Sequence, residues 1–276
     1  MKVELAEDYG FCFGVKRAIK IAQENKNSAT YGPLIHNPSE IDRLKRDFNV
    51  TLSYDLENFK TGDTAIIRTH GITKQELALL EKREVKVVDA TCPYVTKPQQ
   101  ICEEMSAAGY DIVIFGDASH PEIKGVKSYS YKQAYVVNSP EELDGILLYD
   151  KVAVVAQTTR RPEDYQKIVA KLMLTHKEVR VFNTICNATF DNQDAALKLA
   201  IKADVMIIIG GKNSSNTKEL HKISLAQCSD SYHIECADEL LGQWFAGKTH
   251  CGISAGASTP DWIIQEVLER IKILTN

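Results

Sequence analysis

The chain has 276 residues, 44% of them hydrophobic and 25% charged, with a formal net charge of −4. That length supports one large domain or two to three small ones, and the mild acidity leaves no basic footprint for nucleic acid or an anionic membrane surface. No apolar run approaches the ~20 residues of a membrane span, and MKVELAEDYG is acidic where a signal peptide needs an apolar core, so a cytoplasmic protein is expected.

In chain order, KVEL (2–5) reads as a strand and GVKRAIKIAQE (14–24) as a helix. TAIIR (64–68) and VKVVD (85–89) are strands on either side of the helix TKQELALLEKR (73–83). DIVIF (111–115), AYVV (134–137) and KVAVVA (151–156) follow as strands, then the helix RPEDYQKIVAKLM (161–173) and the strand VRVF (179–182). The last third carries the helix NQDAALKLAIK (192–202) and the strands VMIII (205–209), SYHIE (231–235) and THCGI (249–253). It ends on the helix TPDWIIQEVLERIKIL (259–274). Continuous apolar strands alternating with helices argue for an α/β fold of mostly parallel sheets covered on both faces. Ligands of such sheets gather at the carboxyl ends of the strands.

A repeat marks the organisation. Residues 86–126 align with 180–220 at a 94-residue shift without a gap. The shift carries Cys92 onto Cys186, Gly116 onto Gly210, His120 onto Ser214 and Glu122 onto Asn216. Identity is low, but the pattern persists: strand, cysteine, helix, strand, glycine, polar loop. VELAEDYGFC supplies a third copy that reaches Cys12, with His36 falling where His120 does once a small indel is allowed. Each copy also has a later strand ending in small polar residues, at IIRTHG (66–71), VVAQTT (154–159) and GISAGAS (252–258). The expected division is three pseudo-repeated α/β lobes, 1–91, 92–185 and 186–276, with three cysteines and six polar loops brought to one centre.

Seven cysteines in a reducing compartment are for core filling, metal binding or catalysis rather than disulfides. Cys102 and Cys228 fall on helix-like stretches, and Cys236 and Cys251 beside or within strands, so these four read as small core hydrophobes. Cys12, Cys92 and Cys186 recur with the repeat. Three readings stay open from their spacing: an iron–sulfur cube with one iron free, a zinc ion with an open position, or buried thiols that repeat because the scaffold does. GGKNSSN (210–216) suits a phosphate or an ordinary helix cap. His36, His70 and His120 each follow a strand, and Glu122, beside an anionic ligand, would hold its proton to higher pH than an ordinary carboxyl and serve as an acid. Thr158 and Thr159 offer hydroxyls for a proton relay. A zinc hydrolase with Glu122 as base, and a non-enzymatic binder of a phosphorylated ligand, are the rival classes.

GFCFGVKRA (10–18), LIHN (34–37), RTHG (68–71), DATCP (89–93), SHPE (119–122), AQTT (156–159), KNSSN (212–216) and AGASTP (255–260) occur in this order across nearly the whole chain. Together they resemble the 4-hydroxy-3-methylbut-2-enyl diphosphate reductase family, which closes the methylerythritol phosphate route to isoprenoids. The resemblance implies three lobes around a [4Fe–4S] cluster ligated by Cys12, Cys92 and Cys186, with its unique iron taking the allylic hydroxyl of the substrate. It places His36, His70, His120, Ser214, Ser215, Asn216 and Ser258 on the diphosphate, and Glu122 and Thr158, with Thr159 beside them, at the hydroxyl. It implies isopentenyl and dimethylallyl diphosphate as products. Because no flavin or dinucleotide fingerprint such as GxGxxG is present, electrons would come from an external ferredoxin or flavodoxin.

Overall fold

The computed structural model describes residues 1–275. Twelve strands form three four-stranded sheets, parallel in every pairing. The strands are β1 (Lys2–Leu5), β2 (Ser28–Tyr31), β3 (Val50–Ser53), β4 (Thr64–Ile67), β5 (Lys86–Asp89), β6 (Asp111–Phe115), β7 (Ala134–Val137), β8 (Lys151–Ala156), β9 (Glu178–Val181), β10 (Val205–Ile209), β11 (Ser231–Ile234) and β12 (His250–Ala255). The helices are α1 (Phe13–Glu24), α2 (Pro38–Phe48), α3 (Lys74–Lys82), α4 (Pro93–Ala107), α5 (Pro121–Ser128), α6 (Pro162–Thr175), α7 (Asn187–Ala200), α8 (Ser215–Gln227) and α9 (Asp261–Thr275).

The sheet orders are β3-β2-β4-β5, β7-β6-β8-β9 and β11-β10-β12-β1. In each, the first strand of the repeat lies inside, the second at one edge, the third inside and the fourth at the other edge. The third sheet borrows its fourth strand from the start of the chain: β1 pairs with β12 from Lys2 opposite His250 to Leu5 opposite Ile253. The division 1–91, 92–185 and 186–276 therefore departs from the sheets at β1, which closes the third sheet rather than joining the first. Strand pairing is non-local, and nothing in KVEL itself specifies which edge it meets.

The chain separates into two compact units, one of Met1–Lys16, Ile35–Arg46 and the stretch from Asn187 onward, the other of Arg17–Leu34 and Asp47–Cys186. In the first unit, alternate residues of β10 serve two cores. Val205, Ile207 and Ile209 pack with Ile263, Ile264, Val267 and Ile271 of α9. Met206 and Ile208 pack with Leu199 of α7 and Leu220 of α8. In the second unit, Val113 and Phe115 of β6 meet Tyr165, Ile168 and Leu172 of α6, while Ile112 and Ile114 meet Ile101 and Cys102 of α4 and Ile123 and Val126 of α5. A strand buried on both faces must be apolar throughout, and full burial of one such side chain contributes about 1.5–3 kcal/mol.

β2 and β3 lie outside the sequence expectations because SATY and VTLS lack a continuous branched run. The buried positions of β2 are filled by Ser28 and Thr30, whose hydroxyls bond to Asn25 O and Thr51 O. α2 and α5 were not expected either: both open on a proline, a favourable first helical residue, and α5 carries Gly125 in its middle. α7 starts at Asn187, five residues before the predicted helix at 192.

A chain lacking residues 1–5 turns β12 from an inner strand into an edge strand paired with β10 alone, so amide exchange at 250–255 should rise while β4 and β8 keep their protection. Mass-spectrometric hydrogen exchange measures this; unchanged protection of β12 would contradict the pairing.

Candidate functional site

Each repeating cysteine sits just after the last strand of its sheet and just before a helix: Cys12 before α1, Cys92 before α4 and Cys186 before α7. The amide of each donates to a carbonyl two residues past the third strand of its own sheet. Cys92 N bonds Thr69 O at 3.0 Å, Cys186 N bonds Thr158 O at 2.9 Å and Cys12 N bonds Ala257 O at 3.3 Å. The thiol-bearing residue and the strand-end loop are thus one hydrogen-bonded junction in every lobe. Helix starts also favour negative charge. Cys12 and Cys92 are half-buried and Cys186 is buried. Cys102 and Cys251 behave as core residues, and burial pushes each thiol up to about 12.

In the second unit, the strand order makes β6 and β8 the switch point of their sheet, and the loops after these strands carry Glu122 and Thr158. Glu122, in the first turn of α5, is 1% exposed. Thr158 N donates to Glu122 Oε1 and Thr158 Oγ1 to Oε2, each at 2.8 Å. Burial holds the carboxyl above the usual carboxylate range, and these two donors and the Arg160 guanidinium only partly oppose that rise. His120 caps α5, its Nδ1 accepting the Glu122 amide at 3.2 Å, so neutral His120 carries its proton on Nε2. The His70 ring meets it edge-on, centroids 5.3 Å apart. Thr159 is half-buried beside Thr158. Glu122, Thr158, His120 and His70 thus lie together in the second unit, and the Thr158 carbonyl also holds the Cys186 amide.

In the first unit, β10 and β12 make the equivalent switch point. Ser214 caps α8, its Oγ accepting Thr217 N at 3.3 Å, and Ser215 opens the helix. Asn216 is 4% exposed, and neither Oδ1 nor Nδ2 meets a hydrogen-bond partner in the protein. Leaving a buried polar group unpaired costs about 1–3 kcal/mol. Ser258 is half-buried past β12. The His36 carbonyl lies so close to Gly211 that a Cβ there would stand 2.1 Å from its oxygen. The turn needs glycine for close approach rather than for flexibility.

The register of the first copy shifts by one. Asn37, not His36, occupies the cap position held by His120 and Ser214, its Oδ1 accepting Glu40 N at 3.0 Å; the Asn-Pro dipeptide was the available signal. Gln157 was also passed over. Its Oε1 receives Asp117 N at 2.9 Å and ties the loops after β6 and β8 together.

Fold and site together define an α/β protein of three parallel sheets, each with a cysteine at a helix start and polar loops at its switch point, one loop holding a buried acid and another an unsatisfied amide. The family model described as LytB protein matches residues 3–272. The 4-hydroxy-3-methylbut-2-enyl diphosphate reductases of Sulfurimonas denitrificans and Campylobacter concisus are 65% and 63% identical to it over 99% of both chains. Among solved structures, the reductase from Plasmodium falciparum matches at TM-score 0.91 and 27% identity, over 100% of this chain and 88% of that one. Another, described as (E)-4-hydroxy-3-methyl-but-2-enyl diphosphate reductase, the terminal enzyme of the non-mevalonate pathway, matches at TM-score 0.72 and 45% identity, over 99% and 100%. The chain belongs to the LytB family.

The raised pKa of Glu122 has a linked consequence. A carboxyl whose folded pKa lies above its unfolded value contributes stability below the unfolded pKa, and loses it as pH rises through the folded one. Glu122→Gln carries no such charge, so the melting temperature of the variant relative to wild type should be higher at pH 8 than at pH 4.5. A difference independent of pH, by calorimetry, would show that Glu122 ionises as an ordinary surface carboxyl.

Proposed function

We propose that this chain reductively dehydroxylates 4-hydroxy-3-methylbut-2-enyl diphosphate to isopentenyl and dimethylallyl diphosphate, in the cytoplasm, with electrons from a ferredoxin- or flavodoxin-type donor. Family membership supports the reaction. The observation that carries it to the residues is the buried Glu122 carboxyl held by Thr158, whose carbonyl in turn holds the Cys186 amide. An acid and a metal-ligating residue type share one backbone junction.

We assign Cys12, Cys92 and Cys186 as ligands of a [4Fe–4S] cluster. They fit: each thiol stands on a backbone pinned by its own amide, at a helix start that favours thiolate charge. Three thiolates also leave one iron of a cube without a protein ligand. When bound, the cluster supplies electrons and a Lewis-acidic iron for the substrate hydroxyl.

The remaining work belongs to the chain. Glu122, kept protonated by burial, donates the proton that lets the hydroxyl depart as water. The Thr158 hydroxyl and amide fix the orientation of that carboxyl, and the hydroxyls of Thr158 and Thr159 provide a route for reprotonation. The diphosphate falls to His36, His70, His120, Ser214, Ser215, Asn216 and Ser258. Among these the unpaired Asn216 amide and the Nε2–H of His120 supply directional donors without a fixed positive charge. Two electrons and two protons enter, and one water leaves.

Glu122→Gln should retain iron and bind substrate but lose turnover by about 10²–10⁴-fold; a near-normal kcat would remove Glu122 from the proton path. Anaerobically purified protein should be brown and bleach on reduction, and Cys186→Ser should lower its iron content. Full iron retention in Cys186→Ser would overturn the ligand assignment.

A further inference from the structure

The three sheets allow an internal comparison at the turn that follows the first strand of each. In all three, the glycine of that turn donates its amide to the end of the adjacent edge strand. Gly32 bonds Ser53 O at 2.7 Å, Gly116 bonds Val137 O and Gly210 bonds Ile234 O, both at 2.9 Å. The residues flanking those carbonyls are Leu52 and Tyr54 in the first sheet and Val136 and Asn138 in the second. In the third they are His233 and Glu235.

Both third-sheet side chains reach back to the turn. His233 Nε2 lies 2.8 Å from Gly210 O, and since a carbonyl only accepts, the imidazole is the donor. Burial depresses the pKa of His233, which keeps it neutral. Glu235 Oε1 accepts Lys212 N at 2.7 Å. Glu239 completes the clamp, accepting Glu235 N at 2.9 Å and pairing with the Lys212 ammonium. Gly210, in the turn so held, has φ of 150°, a conformation that residues with side chains rarely adopt. Its next bond, Ser214 N to Gly211 O at 2.9 Å, leads directly into the cap of α8 and to Asn216.

We propose that His233 and Glu235 are positioning residues that hold the Gly210–Ser214 turn from the edge strand and thereby set the affinity of Ser214, Ser215 and Asn216 for a diphosphate. The scaffold does not demand them, because the other two sheets build the same turn with leucine, tyrosine, valine and asparagine at these places. The third sheet differs in asking its turn to present uncharged donors, whose hydrogen bonds depend on placement more than a charge would. The inference rests on the diphosphate reading of Ser214–Asn216.

The test is titration calorimetry of the full-length holoprotein with inorganic pyrophosphate, beside steady-state kinetics with the allylic substrate. His233→Leu and Glu235→Ala should each weaken pyrophosphate binding by about fivefold, the worth of one neutral hydrogen bond. They should raise KM while leaving kcat nearly unchanged. His233→Gln, whose amide nitrogen can replace Nε2–H, should recover most of the affinity. Wild-type affinity in His233→Leu, with Asn216→Ala having lost it, overturns the positioning role and leaves the diphosphate reading intact. A loss in His233→Gln as large as in His233→Leu overturns it as well. If wild type itself binds no pyrophosphate, the diphosphate reading falls and the inference with it. Should His233→Leu fail to fold by circular dichroism, Glu235→Ala decides alone, and its retention of wild-type affinity overturns the proposal.

Discussion

One hydrogen bond, made three times, organises the molecule: the amide of a cysteine donating to the carbonyl two residues beyond the third strand of its sheet. It joins the two kinds of segment that carry chemistry, a helix start and a strand-end loop, by main chain alone. Backbone bonds of this sort are indifferent to side-chain identity, so Thr69, Thr158 and Ala257 serve equally as acceptors. The side chains at and around that junction are free to differ from lobe to lobe.

They differ in a way that follows the chemistry. The second sheet places a fully buried acid at its switch point, its burial only partly offset by two donors from Thr158. The third places an amide with no partner in the protein at the matching position. Glu122 and Asn216 occupy equivalent turns of equivalent helices, one a buried acid and the other a buried amide. A fold repeated three times around its own cores can vary the loops of each copy separately.

Much of this was legible in residues 112–115, 152–156 and 205–209, whose unbroken, largely β-branched apolar character fits a strand covered on both faces. The 94-residue shift likewise put Glu122 opposite Asn216 before any coordinates did. What escaped has specific physical causes. SATY carries hydroxyls where buried strands normally carry branched carbons, and satisfies them through bonds to main-chain carbonyls, while VTLS has one buried residue, Val50. The partner of β1 is some 250 residues away, beyond any local pattern. His36 was aligned with His120 because both are histidines, whereas the helix starts align Asn37 with it. His233 and Glu235 act on a turn more than twenty residues earlier through main-chain atoms, which leave no trace in residue type.

The borrowing of β1 by the third sheet also imposes an order on biosynthesis. A ribosome makes Lys2–Leu5 long before His250–Ala255, so the earlier strand waits for its partner to emerge. The sheets that include β4 and β8 draw on neighbouring sequence and complete themselves during elongation. Cys12, pinned by Ala257, acquires that bond only after Ala257 has left the exit tunnel, whereas Cys92 and Cys186 are pinned by Thr69 and Thr158, which precede them in the chain.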